Sequence, residues 1–299
     1  MGTPSIWMRA SSVMRLWVIL SNQLKFFVWK SLCEIRYAYF SVIDRFKERQ
    51  KLKAIVSLTS FPRRYKYLHL VIKSLLSNTV LPEKIVLYLC SSELNECQIP
   101  QDLLSLGGDL FEIRTVEKGY RSFSKLLHAR DDFPTSNILT VDDDLIYHHS
   151  FLVSFLKFVD NEEATVISGQ GVEVCLHQPY REWPRINAES SGNAMVLGYS
   201  GVLYKSGALH KLVRDAAVFQ KVCPHNDDIW FSCCARLNGV KKFFYSGANV
   251  RANKDIYYYH PDIENPKLSD QNLNGRLEIE FKSLNEWLAI NYGADWLPY

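Results

Sequence analysis

Short apolar runs alternate with segments of helical periodicity between residues 53 and 142, and few folds accommodate that order. The runs are rich in β-branched residues and are predicted to be buried strands, at Lys53–Thr59, Lys84–Cys90, Leu110–Val116 and Asn137–Asp142. Helical segments separate them at Tyr65–Asn78 and from Ser122 to about Asp131. Strands joined by helices at this spacing are parallel and connected by right-handed crossovers, with helices on both faces. The sequence therefore predicts an α/β fold with a mostly parallel, Rossmann-like sheet.

The pattern becomes looser after residue 150. Strands are predicted at Thr165–Gln170 and Gly201–Lys205, and amphipathic helices at Asn226–Asn238 and Arg276–Ile290. Because neither a repeat nor a linker divides this part of the chain, residues 51–299 are expected to form one domain. Ligands of such sheets bind beyond the carboxyl ends of the strands, so the site is sought there.

The first fifty residues have a different character. Apolar residues recur at steps of four and three in two series, Val13, Trp17, Leu20, Leu24, Phe27 and then Val28, Leu32, Ile35, Tyr39, Val42, Phe46. This periodicity predicts an amphipathic helical extension over residues 1–50. Its longest uncharged run, Leu16–Leu24, is too short to span a bilayer, which takes roughly 20 residues. Two alternatives stay open: an interfacial helix on an anionic membrane surface, or a helix or helix pair packed on the body or on another subunit.

The charge distribution argues against a nucleic-acid partner. The chain has 35 Lys and Arg against 32 Asp and Glu, but residues 1–50 carry a charge of +5 and the remaining residues carry −2. A slightly acidic body offers no basic surface that could bind a phosphate backbone.

An acidic run ends the fourth predicted strand, where Asp142, Asp143 and Asp144 directly follow four apolar or uncharged residues. Three carboxylates at a buried strand end repel one another and lose hydration, so a compensating cation is expected. Asp142 and Asp144 have the spacing to share Mg²⁺ or Mn²⁺. The alternative is a solvated acidic turn.

A second acidic pair, Asp227 and Asp228, follows Asn226, a favourable N-cap residue. In the first turn of a helix the helix dipole alone would favour both carboxylates. The functional interpretation is that one of them is a general base for an attacking hydroxyl. Asp228 is favoured and Asp227 would orient the acceptor, although the spacing does not separate the two.

At this point the sequence resembles the GT-A-fold glycosyltransferases that use nucleotide sugars, in their bacterial family-2-like branch. The segments that carry the resemblance lie within residues 52–250 and are AIVSLTSFP, SLLSNTVLP, KIVLYL, KGYRSFSKLLHA, ILTVDDD, GYSGVLYK and HNDDIWFS. The ILTVDDD segment resembles the family's Asp-x-Asp element, and HNDDIWFS resembles its acidic catalytic segment. The first strand lacks the family's usual Pro-x-Tyr-Asn turn, so contacts to the nucleotide base are not assigned.

The resemblance implies roles for individual residues. The nucleotide would lie near Thr59, Ser60 and Arg63, and Asp143 and Lys125 are also assigned to cofactor binding. Asp142 and Asp144 would hold Mn²⁺ or Mg²⁺ on the diphosphate, with His260 as a third ligand or else an ordinary packed histidine.

Further residues near these segments have two interpretations or a structural one. Lys118, Arg121 and Lys125 are either phosphate contacts or solvated side chains. Gly198 and Gly201 are expected to serve backbone geometry, and Trp183 and Trp230 either stack on a sugar or pack in the core.

The expected function is a metal-dependent, inverting glycosyltransferase that moves a sugar from a nucleotide-diphosphate donor to a glycan or lipid-linked acceptor. The expected setting is bacterial cell-envelope polysaccharide or lipopolysaccharide synthesis. The expected location is cytoplasmic and peripheral, at the cytoplasmic face of the inner membrane. Two rival functions stay open: a nucleotidyl- or phosphosugar-transferring enzyme with the same acidic metal site, and a non-catalytic glycan-binding protein with this fold.

Overall fold

The computed structural model of this protein describes residues 6–94, 97–161, 165–175, 177–186, 190–192, 194–245, 254–255 and 272–293, and only the backbone of residues 6–19, 190–192, 254–255 and 273. The strands are β1 Lys51–Thr59, β2 Leu81–Cys90, β3 Phe111–Val116, β4 Ile138–Thr140, β5 Leu145–Ile146, β6 Val166–Ser168, β7 Gly171–Val172, β8 Arg185–Ile186, β9 Ser190–Gly192, β10 Met195–Val196, β11 Val202–Tyr204, β12 Lys242–Phe244 and β13 Lys254–Asp255. The helices are α1 Ile6–Ile43, α2 Tyr65–Leu76, α3 Ser91–Leu94, α4 Gln101–Leu104, α5 Ser124–Asp132, α6 Val153–Val159, α7 Ala216–Val222, α8 Asp227–Leu237 and α9 Leu277–Tyr292.

The largest sheet has eight strands in the order β3-β2-β1-β4-β11-β6-β12-β9. Strands β1 to β4 are parallel to one another, and β6 and β12 form a second parallel pair. Strand β11 lies between these groups and is antiparallel to both neighbours, and β9 is antiparallel at the edge. The predicted fold class, α/β with a mostly parallel sheet flanked by helices and an N-terminal helical extension, is therefore confirmed.

Two hydrophobic cores lie on opposite faces of this sheet. Neighbouring residues of β4 alternate between them, because side chains of a strand point to opposite faces: Ile138 belongs to one core and Leu139 to the other. Helices α5, α8 and α9 cover the first face, and α2 and α6 cover the second. The carboxyl ends of β1 and β4 lie between the two helical layers. The candidate site is at this edge of the sheet, just beyond those two strand ends.

The N-terminal extension is one continuous helix, α1, rather than a helix pair. Its inner face packs on α2, where the rings of Phe26 and Tyr67 are 5.4 Å apart and Cys33 is buried. In the part of the chain that the structure describes, no helix combines the length and hydropathy that crossing a membrane requires.

Pro82 lies inside β2 and not before it, which corrects the predicted start of that strand. The register between β1 and β2 shifts between Leu52 and Ile55, next to the position where Leu52 pairs with Pro82. An irregular ladder accommodates a residue that has no backbone N–H to donate.

Candidate functional site

The ammonium group of Lys125 joins two acidic segments that are far apart in the sequence. Lys125 lies on α5 with its side chain only 5% exposed. Its Nζ is 2.8 Å from Oδ1 of Asp142, just beyond β4, and 3.1 Å from Oδ2 of Asp227, in the first turn of α8. Of the two alternatives for Lys125, surface solvation is wrong, because its side chain is buried between carboxylates, and a phosphate contact stays a prediction.

Gly198 brings a third segment to the same point. Its backbone N–H donates to Oδ2 of Asp228 at 2.9 Å. A Cβ atom on Gly198 would lie 2.8 Å from Oδ1 of Asp228 and 3.3 Å from Nζ of Lys125, so only glycine fits without displacing them. Gly201 has a φ of 78° and would place a Cβ 2.5 Å from Cζ of Phe151. The prediction that these two glycines serve backbone geometry is confirmed.

Lys125, Asp142, Asp227 and Asp228 form a cluster, here called the Lys125 cluster, whose charges and burial shift the pKa of Asp228. The pKa of Asp228 is raised to about 8, mainly because the carboxylate is removed from water and secondly because Asp227 is negatively charged. The charge of Lys125 and the hydrogen bond from the Gly198 N–H lower this pKa, but only in part. Burial opposes the charge on Lys125, but Asp142, Asp227 and Asp228 outweigh it and raise the pKa of Lys125 well above its usual value. Lys125 therefore stays protonated, and Asp228 titrates near neutral pH.

Arg64 pairs with the other two aspartates of the 142–144 run. It ends a short 3₁₀ turn after β1, and its guanidinium pairs with Asp143 and lies 3.3 Å from Oδ2 of Asp144. Arg63, the arginine that the sequence singled out, is exposed. Nothing in the sequence distinguished the two adjacent arginines, because the choice depends on the geometry of the turn.

Hydrogen bonds hold the backbone around these side chains. Ser57 on β1 donates through its hydroxyl to the carbonyl oxygen of Lys125, which ties α5 to the sheet. The backbone N–H of Asp142 donates to the Tyr147 hydroxyl at 2.8 Å, and that hydroxyl donates back to the Asp142 carbonyl oxygen at 3.2 Å. The acidic run is therefore a fixed turn closed by a buried tyrosine.

The two hydroxyl residues assigned to nucleotide binding differ in their environment. Thr59 donates its hydroxyl to the Tyr88 carbonyl oxygen at 2.9 Å, so it belongs to the framework of β1 and β2. Ser60 is buried, and its hydroxyl has no hydrogen-bond partner within the described structure. An orphaned hydroxyl at the end of a parallel strand is suited to accept or donate to a ligand. Nucleotide binding by Thr59, Ser60 and Arg63 stays a prediction.

Glu280 on α9 is a residue that sequence analysis missed. Its carboxylate accepts from the backbone N–H groups of His225 and Asn226, both at 3.2 Å, and from the Asn226 side chain at 2.9 Å. It also lies 2.7 Å from Nδ1 of His225. Asn226 occupies the N-cap position of α8 as predicted, but its side chain binds Glu280 and makes no capping bond to the helix. Glu280 thus fixes the segment that leads into Asp227 and Asp228.

We expect Glu280→Ala to lower the free energy of unfolding by about 2–4 kcal/mol, because it leaves several buried donors without an acceptor. Chemical denaturation measures this directly. Glu286→Ala on the same helix is the matched control, since Glu286 is 65% exposed and its ion pair with Lys282 is 4.0 Å long. That control should change stability by less than about 0.5 kcal/mol. Equal losses in both variants would contradict the role given to Glu280.

Both tryptophans singled out by the sequence lie away from the Lys125 cluster. Trp183 and Trp230 are buried in the core, where their indole N–H groups donate to backbone carbonyl oxygens at 2.9 and 3.0 Å. The hypothesis that these tryptophans stack on a sugar is therefore wrong. His260 lies outside the described residues, and its role as a metal ligand stays a prediction.

The donor set suits a hard divalent cation only in part. Carboxylate oxygens are the ligands that Mg²⁺ and Mn²⁺ prefer, and one or two of them suffice when phosphates and water complete the shell. Oδ2 of Asp143 is buried and accepts no hydrogen bond in the described structure. Among the residues described, however, no three His, Cys, Asp or Glu side chains are grouped as a ready-made metal site. A cation held by Asp142 and Asp144 stays a prediction.

Comparisons with known proteins give only remote similarities. No protein-family model matches the chain, and no curated protein matches it significantly. A mannosyltransferase, PcManGT from Pyrobaculum calidifontis in complex with GDP-Man and Mn²⁺, is similar over 93% of this chain and 76% of that chain, with 11% identity and a TM-score of 0.44. A UTP-bound UGPase from Acinetobacter baumannii is similar over 78% of this chain and 100% of that chain, with 12% identity and a TM-score of 0.40. At such distances the function has to be inferred from the residues of this chain.

Proposed function

We propose that this protein is a glycosyltransferase that moves a sugar from a nucleotide-diphosphate donor to a hydroxyl of a glycan or lipid-linked acceptor. The observation that carries the proposal is the carboxylate of Asp228, with a pKa of about 8, beside the buried ammonium of Lys125 at the edge where the parallel strands end. Perturbed titration of a group in such a position is typical of an acid–base site.

Asp228 has the properties of a general base for hydroxyl attack. A base works best when its pKa is close to the operating pH, and that of Asp228 is. In the proposed step the acceptor oxygen attacks the anomeric carbon, the bond to the diphosphate oxygen breaks, and the acceptor proton passes to Asp228. A single displacement of this kind inverts the anomeric centre. Asp227 is held by Lys125 and would orient the acceptor.

The other charged groups of the site would help to bind and neutralise the diphosphate. The five carboxylates at 142–144 and 227–228 face two cations, Lys125 and Arg64, so full ionisation leaves an excess of negative charge. Asp142 and Asp144 would hold a divalent cation, which would offset most of that excess and supply positive charge to the departing diphosphate. The nucleotide would lie against Ser60, whose buried hydroxyl is free to bind it.

Nucleotidyl transfer is the rival reaction at such a site. There the nucleophile is a phosphate, which is already anionic and needs no base. A carboxylate tuned to titrate near neutral pH therefore favours a hydroxyl acceptor. A glycan-binding protein without activity would gain nothing from crowding carboxylates around one lysine. The resemblance to the bacterial branch of the family supports a setting in cell-envelope polysaccharide or lipopolysaccharide synthesis.

A screen of nucleotide sugars with Mn²⁺ or Mg²⁺ tests this proposal. We expect release of a nucleoside diphosphate from at least one donor, and we expect Asp142→Ala and Asp144→Ala each to reduce it by roughly 100-fold, because each removes a ligand of the cation. Glu286→Ala is the control and should retain the wild-type rate, since its side chain is 65% exposed on α9.

The products distinguish the alternatives. Release of pyrophosphate or of a phosphosugar would indicate nucleotidyl or phosphosugar transfer. Full metal-dependent turnover in both aspartate variants would show that the cation is held elsewhere.

A further inference from the structure

One face of helix α1 is apolar and open to solvent along its described length. Eight large apolar side chains on this outer face are between 44% and 66% exposed: Leu20, Leu24, Phe27, Val28, Leu32, Ile35, Tyr39 and Val42. Phe46, in the turn that follows α1, is 83% exposed. From Leu20 to Val42 the stripe is about 33 Å long at 1.5 Å per residue. Monomeric soluble proteins rarely expose a continuous apolar patch of this size, and a large one marks an interaction site.

The opposite face of α1 is fixed to the domain, so the stripe cannot turn inward. Nε of Arg36 donates to the Ser77 hydroxyl at 2.9 Å, and its Nη2 donates to the Tyr147 carbonyl oxygen at 3.1 Å. Glu34 pairs with Lys73 at 2.6 Å on the same side. The apolar stripe therefore points away from the domain, on the side of α1 that is opposite to α2.

The charges around the stripe are mostly basic. Residues 20–47 contain five basic and two acidic residues. Both acids are already neutralised, Glu34 by Lys73 and Asp44 by Arg49. Lys25, Arg45 and Lys47 are exposed on the part of the chain that carries the stripe. A second copy of the protein would bring the same sign of charge against this rim, whereas an anionic lipid surface is complementary to it.

We infer that the outer face of α1 docks the protein onto an anionic membrane, with the apolar stripe at the boundary between headgroups and acyl chains. The helix would lie in the plane of the interface, between the bilayer on one side and α2 on the other. Exposed Phe27, Tyr39 and Phe46 supply the large aromatic side chains that favour this depth. The inference does not depend on the proposed reaction, because it rests only on α1 and its neighbours.

Vesicle co-sedimentation of the full chain tests the inference. We expect binding to vesicles of phosphatidylcholine containing about one third phosphatidylglycerol, and weaker binding to phosphatidylcholine alone. The double variant Phe27→Gln, Ile35→Gln should bind at least about tenfold more weakly, because it makes the middle of the stripe polar. Both side chains are 66% exposed, so the fold and the unfolding temperature should be unchanged.

The matched control is Ile279→Gln, Ile290→Gln on α9, where the side chains are 70% and 82% exposed but isolated from the stripe. It should bind vesicles as the wild type does. Absence of wild-type binding to anionic vesicles, or equal losses in the two double variants, would overturn the inference. So would light scattering that shows a dimer broken by Phe27→Gln, Ile35→Gln without any lipid binding, since the occupant would then be a second copy.

Discussion

Replacing Lys125 by methionine should lower the free energy of unfolding by about 3–5 kcal/mol at pH 8, because it leaves buried carboxylates without their counter-charge. Lys125 contacts Asp142 and Asp227, and its charge also acts on Asp228. The charge of Lys125 opposes the raised pKa of Asp228. Without Lys125 the folded chain would hold the Asp228 proton still more tightly than the unfolded chain does, so stability falls as the pH rises. The loss should therefore be smaller at pH 5 than at pH 8. Urea denaturation at both pH values measures it.

Lys53→Met is the control for this prediction. Lys53 also pairs with an aspartate, Asp160, at 3.2 Å, but both side chains are more than 70% exposed. Its loss should cost less than about 1 kcal/mol. A second variant, Lys125→Met with Asp227→Asn, should regain part of the stability because it removes one of the repelling charges. A Lys125 variant as stable as the Lys53 variant would show that the carboxylates are solvated and not dependent on the lysine.

The sheet could be predicted from the sequence because its strands are buried on both faces. Runs such as Lys84–Cys90 have no polar face, and a parallel strand between two helical layers requires that pattern. The alternation of strands and helices then fixed the direction of β1 to β4. The antiparallel direction of β11 could not be predicted in this way, because no helix links it directly to β4 in the sequence. Its direction is set by tertiary pairing on both sides.

The position of the acidic residues could be predicted, but their partners could not. The apolar run before Asp142 placed the aspartates at the end of a strand, where the structure has them. The sequence interpretation then invoked a metal as their compensating cation. In the structure Lys125 and Arg64 supply positive charge at that point. These contacts join positions 17 and 79 residues apart, and local periodicity carries no information about them.

Glu280 shows the same limit more sharply. On an amphipathic helix a glutamate between apolar positions is expected to face solvent. Glu280 is instead 6% exposed, because its carboxylate accepts from the backbone N–H groups of His225 and Asn226, just before α8. Only the docking of α9 against the segment before α8 reveals these contacts. For helix α1, in contrast, the periodicity of the sequence correctly identified the apolar stripe. The structure added that the opposite face of α1 packs on α2 and that the stripe is exposed.

Replacing Asp228 by asparagine should reduce turnover by roughly 10²–10⁴-fold, because it removes the group that accepts the proton. The same change should make the protein more stable at pH 8. Because burial and Asp227 raise the pKa of Asp228 to about 8, the folded chain holds this proton between about pH 4 and pH 8 while the unfolded chain loses it. Wild-type stability therefore falls across that range, and the asparagine variant should not show this loss. A gain of at least about 2 kcal/mol at pH 8, and little difference at pH 4, is expected in thermal or urea denaturation.

The sign of that stability change distinguishes the two explanations of Asp227 and Asp228, namely a general base for catalysis or carboxylates that only balance the helix dipole. If Asp228 only balanced the helix dipole, its neutralisation would destabilise α8 by about 0.3–1 kcal/mol. Asp227→Asn is the matched variant, and it should be destabilising because it removes the 3.1 Å ion pair with Lys125. Loss of turnover in Asp227→Asn with a wild-type rate in Asp228→Asn would move the base to the neighbouring carboxylate. Stabilisation and inactivation in Asp228→Asn together would mean that this carboxylate is kept at a cost in stability because catalysis needs it there.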